Sequence, residues 1–144
     1  MRAYGTSDEY MRNILITLLN VPSCLALTTK GVTSMARIVR IHEYGDASVL
    51  KLEELDVHAP AADEIQIGVK SIGLNRAEVM FRNHAYLQEA DFPSRLGYEA
   101  AGLVTAVGSE VTDIKAGDSV ALIPPLDIAR WGTYGELANV PAHL

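Results

Sequence analysis

From Ala36 onward, short runs of alternating apolar and polar residues are broken by a turn about every 8–12 residues. This rhythm constrains the fold more than any other feature of the chain. Ala36–Glu43 sets Ile38, Arg40 and His42 against Val39 and Ile41. Val49–Val57 sets Leu50 and Leu52 against Lys51 and Glu53. Glu64–Ile72 alternates Ile65, Ile67 and Val69 with Gln66, Gly68 and Lys70. A two-residue period with β-branched residues predicts half-buried strands. Further strands are expected at Ala100–Val107, Ser119–Ile123 and Thr133–Val140, with one helix of note from about Arg76 to Asn83. Six or so short strands and one helix imply a mainly β fold, a barrel or a sandwich. Strand–helix–strand alternation is missing, so this chain holds no Rossmann domain.

The 144 residues fit one domain plus an appendage. Hydrophobic residues make up 49% and charged residues 21%, enough to bury a core. A net charge of −6 argues against nucleic acid or anionic lipid as partners, because both need clustered Lys and Arg. Cys24 is the single cysteine, so neither an intrachain disulfide nor a zinc site on paired thiolates can form, and the cytoplasm is the simplest compartment. Residues 1–34 read differently from the rest. Their apolar run, Ile14–Leu19, is short of the roughly 20 residues a membrane span needs. A secretory signal is the weaker reading, since Asp8 and Glu9 offset the charge of Arg12. The stronger one takes 1–34 as a poorly ordered extension or a mis-assigned start, with a loose helix around 9–19 if translated. The domain proper then spans 35–144, opening at Met35.

Motifs for phosphate loops, G-x-G-x-x-G turns, H-E-x-x-H helices and nucleophile elbows do not occur. The four histidines (42, 58, 84 and 143) lie far apart and read as surface or loop residues. Asn75-x-x-Glu78 follows a strand and opens the helix. It can cap that helix, with Glu78 reaching back, or it can present an amide at a cleft edge. Gly97–Gly102 places Tyr98 and Glu99 on opposite faces of an extended segment; both readings, buried structural pair and site, stay open. Gly108 and Gly117 read as turn scaffold. Trp131 and Tyr134, beside Gly132 and Gly135, fit either a pocket wall or a hydrophobic plug.

Gly73–Glu78, then Pro93 ahead of Leu96–Gly102, Val104-x-x-Val107-Gly108-x-x-Val111, Lys115-x-Gly117-Asp118-x-Val120 and Gly132–Glu136 occur in this order. The set resembles the N-terminal GroES-like, alcohol dehydrogenase-like domain of the medium-chain dehydrogenase/reductase superfamily, on its zinc-independent quinone oxidoreductase side. The resemblance spans essentially all of 35–144. It implies a partly open β-barrel with one or two short helices. Asn75 and Tyr98 stand where zinc-dependent members carry Cys and His ligands, so the resemblance implies no zinc. Glu99 matches a glutamate beside that metal site. Asn75 and Tyr86 match residues that line the nicotinamide end of NADPH. The chain departs at Met80, where relatives carry Tyr, and at Glu78, where they carry Asp.

The implied activity is NADPH-dependent hydride transfer to a quinone, an enone or a related carbonyl compound, with Tyr98 as candidate donor to the substrate oxygen. A dinucleotide fold normally follows such a barrel, and none is present, so the expectation is a catalytic-domain fragment, inactive alone. An exposed apolar face including Leu122–Leu126 is expected to invite association, a homo-oligomer among the outcomes. The alternatives are a non-catalytic β-barrel interaction module or a subunit completed by a partner chain.

Overall fold

The computed structural model describes residues 33–124 and 127–144. The expected helix at 9–19 therefore lies outside the described residues, as does the expected extension 1–34 except for Thr33 and Ser34. Strands β1 (Ser34–Ile41), β2 (Lys51–Val57) and β3 (Glu64–Gly73) lead to helix α1 (Arg76–Arg82). Strands β4 (Ser94–Arg95), β5 (Glu99–Val107), β6 (Ser119–Ala121) and β7 (Leu137–Pro141) follow. They form a three-stranded sheet, β2-β1-β4, and a four-stranded sheet, β6-β5-β3-β7, antiparallel throughout.

Residues 134–136, just ahead of β7, tie the sheets together on one side. The Val39 N–H donates to the Tyr134 carbonyl at 2.8 Å, the Glu136 N–H to Arg37 at 2.9 Å, and the Val69 N–H to Glu136 at 2.9 Å. Elsewhere the described sheets do not close, so the barrel is partly open, as the resemblance implies. One α-helix is present among the described residues, with a short 3-10 turn at Ala47–Val49.

Three apolar clusters fill the fold. Ile65, Ile67, Val104, Leu122, Ala138 and Val140 pack between β3, β5 and β7. Ile41, Phe81, Leu96, Tyr98, Ile128 and Tyr134 gather around α1. Ala36, Ile38 and Val57 form the third. Strand β1 serves two of these, which breaks its expected period: Ile38 and Ile41 are both buried, three positions apart. Strand β2 departs as well. Leu52 is exposed, while Glu53 is half-buried because its carboxylate takes Arg40 at 2.5 Å and His42 at 2.5 Å. Of the apolar face expected at Leu122–Leu126, Leu122 is buried in the β3/β5/β7 cluster, Ile123 and Pro124 are exposed, and Pro125 and Leu126 lie outside the described residues.

Candidate functional site

Strand β3 ends at Gly73, and the backbone turns through Leu74 into the helix. Gly73 lies against the Glu99 side chain so closely that a Cβ would collide with the carboxylate. Asn75 is the N-cap, extended at φ −112° and ψ 148°. Glu78 sits in the first turn and is 3% exposed. One of its oxygens accepts the Asn75 N–H at 2.5 Å, and the other accepts the Tyr98 N–H at 2.9 Å. A single buried carboxylate thus fastens the strand–helix junction to the start of β5. The capping function expected of Glu78 is present, and a second, long-range one accompanies it.

The Asn75 side-chain amide donates to a Glu99 oxygen at 3.1 Å. Glu99 is therefore tied to a side-chain amide. Tyr98 points the other way, into the cluster around α1, and is 8% exposed. Its hydroxyl donates to the Tyr86 hydroxyl at 2.7 Å, and the rings meet edge to face, 6.2 Å apart. Burial, then the Tyr86 hydrogen bond, raise the Tyr98 phenol well above the usual value. Burial and the nearby Glu78 push Tyr134 up to about 12. Both phenols stay protonated, as donors, across the neutral range.

The structure brings Asn75, Tyr98 and Glu99 together around one strand–helix junction, and Tyr86 joins them through its hydroxyl contact with Tyr98. Two contributors were legible in the sequence only in part. Tyr134 is a core plug whose hydroxyl reaches the Gly73 carbonyl at 3.5 Å. Glu78 was visible as a cap, but its bond to Tyr98, 20 residues away, leaves no local trace. Trp131 packs instead against the β3/β5/β7 cluster. All four histidines are exposed. Among the described residues, no group of three or more His, Cys, Asp and Glu is placed to hold a metal. No described helix is long and apolar enough to cross a membrane.

A half-buried amide at a strand–helix junction, a part-buried hydroxyl pair and a mainly β two-sheet scaffold are consistent with the N-terminal domain of a medium-chain dehydrogenase/reductase. Residues 61–144 match the alcohol dehydrogenase GroES-like domain, and the chain belongs to that family. It is 38% identical over 108 residues to Quinone oxidoreductase 1 of Escherichia coli K12, covering 75% of this chain and 32% of that protein. Quinone oxidoreductase of Pseudomonas aeruginosa is 38% identical over 104 residues, covering 72% and 30%. The crystal structure of Escherichia coli quinone oxidoreductase complexed with NADPH superposes with a TM-score of 0.65 at 35% identity, covering 74% of this chain and 31% of that one. The chain thus spans about a third of the length of the curated relatives it matches.

Proposed function

We propose that residues 35–144 form the substrate-side domain of an NAD(P)H-dependent oxidoreductase that reduces quinones, enones or related carbonyl compounds in the cytoplasm without zinc. The observation that carries this reading is the Asn75 amide, half-buried at the end of β3 and held at 3.1 Å by Glu99. An amide fixed by one N–H retains a second N–H and a carbonyl oxygen, the complement of a carboxamide. That donor set fits the nicotinamide of NADPH, which supplies a hydride when bound. Asn75 and Tyr86 would hold it. Similarity to quinone oxidoreductases, one of them solved with NADPH, supports the same cofactor.

Tyr98 is the candidate catalytic donor. Its own proton is given to Tyr86, so the two phenols act as a relay: buried Tyr98 donates to half-buried Tyr86, and the Tyr86 hydroxyl carries the proton left to face a substrate oxygen. As negative charge grows on a substrate oxygen, a fixed hydroxyl pair in a water-poor setting stabilises it better than bulk water does. The elevated Tyr98 phenol value keeps that donor protonated at alkaline pH.

The described residues offer no glycine-rich helix N-terminus for a pyrophosphate. In this reading a separate domain, on the same or a partner polypeptide, holds the dinucleotide, and the isolated chain is inactive. Calorimetry of the chain alone should show no NADPH binding tighter than roughly millimolar. Micromolar binding would refute that part. Joined to the dinucleotide-binding domain of a quinone oxidoreductase, the chain should support NADPH-dependent quinone reduction, and Asn75→Ala should slow it at least about tenfold, roughly the loss of one oriented hydrogen bond. Unchanged turnover would count against Asn75 as a cofactor contact.

A further inference from the structure

Between the end of β2, β4 and the loop entering β7, the two sheets leave a cavity of about 550 Å³ that Asn75, Tyr86 and Tyr98 do not line. Sites for small molecules fall in this size range. Ile38, Leu55 and Ala129 supply apolar wall. The charged groups around it are unevenly compensated. Asp56, Glu89 and Asp91 are exposed and solvated. Asp127 accepts from the Gln88 amide at 2.6 Å and from the Arg130 N–H at 3.0 Å. Arg40 is paired with Glu53 at 2.5 Å. The Arg130 guanidinium lies over the Trp131 ring, 4.7 Å from its centre.

Arg95 has no such compensation. Pairing of β1 with β4 places it directly opposite Arg40, a like charge. No described carboxylate lies within ion-pair distance of it. One N–H of its fork reaches the Leu137 carbonyl at 2.9 Å, and its Nε–H is enclosed without an acceptor. Burial, with Arg40 adding to it, holds the guanidinium below its usual value, yet a guanidinium does not shed its proton in a protein. A half-buried, unpaired cation is costly until an anion meets it, and a planar fork suits a carboxylate.

We propose that this cavity binds a small carboxylate with an apolar body, its carboxylate taking N–H groups of the Arg95 fork and its body lying against Ile38, Leu55 and Ala129. A single negative group is favoured over several, because the exposed acids around the cavity repel further negative charge. The site is independent of the Asn75 strand–helix junction and of the oxidoreductase reading.

Benzoate is the probe, titrated into the chain and followed by calorimetry and by amide NMR shifts. Saturable binding is expected, with shifts concentrated at residues 38–40, 94–95 and 137–139. Benzyl alcohol, the uncharged analogue, should bind at least tenfold more weakly, and so should inorganic phosphate, which lacks the apolar body. Arg95→Met should weaken benzoate at least tenfold. Asp91→Asn, at an exposed position, should tighten it severalfold by removing a like charge. Failure to saturate, equal affinity for benzyl alcohol or phosphate, or unaltered benzoate affinity in Arg95→Met would overturn the proposal. If Arg95→Met does not fold, Asp91→Asn decides: unchanged or weakened binding overturns it.

Discussion

At the scale of single residues, Glu78 shows how much can rest on one side chain. Its two oxygens accept two backbone N–H groups, one from its own helix cap and one from Tyr98, and water does not reach them. Glu78→Ala leaves both donors unsatisfied and should cost about 2–4 kcal/mol in urea unfolding, since each buried orphan costs ~1–3 kcal/mol. A loss below ~0.5 kcal/mol would mean the clamp is not formed. Two glycines that look alike in sequence differ in the same way. A Cβ at Gly108 would collide with the Ala61 and Ala62 carbonyls, whereas at Gly117 it meets nothing, and only the φ of +94° opposes it. Gly108→Ala should therefore cost about 3 kcal/mol and Gly117→Ala about 1 kcal/mol, measured by the same unfolding curves. Both read as turn glycines in the sequence. The difference lies in which distant backbone approaches, here the loop at Ala61 and Ala62, and a single chain segment does not report that.

At the scale of elements, α1 was legible to within a residue because its cap and its stop are local. Its end is less orthodox. The Ala85 N–H returns to the Met80 carbonyl at 2.8 Å and the His84 N–H to the Phe81 carbonyl at 3.1 Å, a Schellman ending. The left-handed position, usually glycine, is His84 at φ 57°. Its ring stacks on Tyr44 at 4.1 Å, which offsets the backbone cost. His84→Ala keeps the strained backbone and loses the stack, so thermal denaturation should report a loss of about 0.5–1.5 kcal/mol. Phe81, fully buried in the cluster around α1, should cost about 3–5 kcal/mol on change to Ala. Strand β4, two residues long, carries too short a pattern to show any period. Strand β1 misleads for another reason: it leaves one cluster and enters a second, so no single alternation describes it.

At the scale of the whole molecule, the core around α1 buries two phenols, Tyr98 and Tyr134, and this couples stability to alkaline pH. Both values are raised above the 10.0 of an unfolded chain, Tyr134 to about 12. A raised phenol favours the neutral form, so its contribution is complete below pH 10 and is lost as pH rises from there through the folded value. The melting temperature should hold to about pH 10 and then fall towards pH 12. Tyr134→Phe should flatten that fall. A midpoint independent of pH up to 12 would contradict the burial of both hydroxyls. The Asn75–Tyr98 junction and the Arg95 cavity also belong to this scale, since each is assembled from segments distant in sequence.

Sequence alone determined the mainly β class, the order of most strands and the position of the one described α-helix, because periodicity, caps and turn residues act over fewer than about ten neighbours; the family came from the resemblance of motifs in their order along 35–144. It also put Asn75, Tyr86, Tyr98 and Glu99 on the page as candidates. Only the tertiary structure decided that Tyr98 is buried and spends its hydroxyl on Tyr86, that Glu99 holds the Asn75 amide, and that Arg95 stands opposite Arg40 with no described carboxylate in pairing distance. Those outcomes depend on which distant strands pair and what they exclude from water. Desolvation and long-range hydrogen bonds are properties of the packed chain, and no local pattern encodes them.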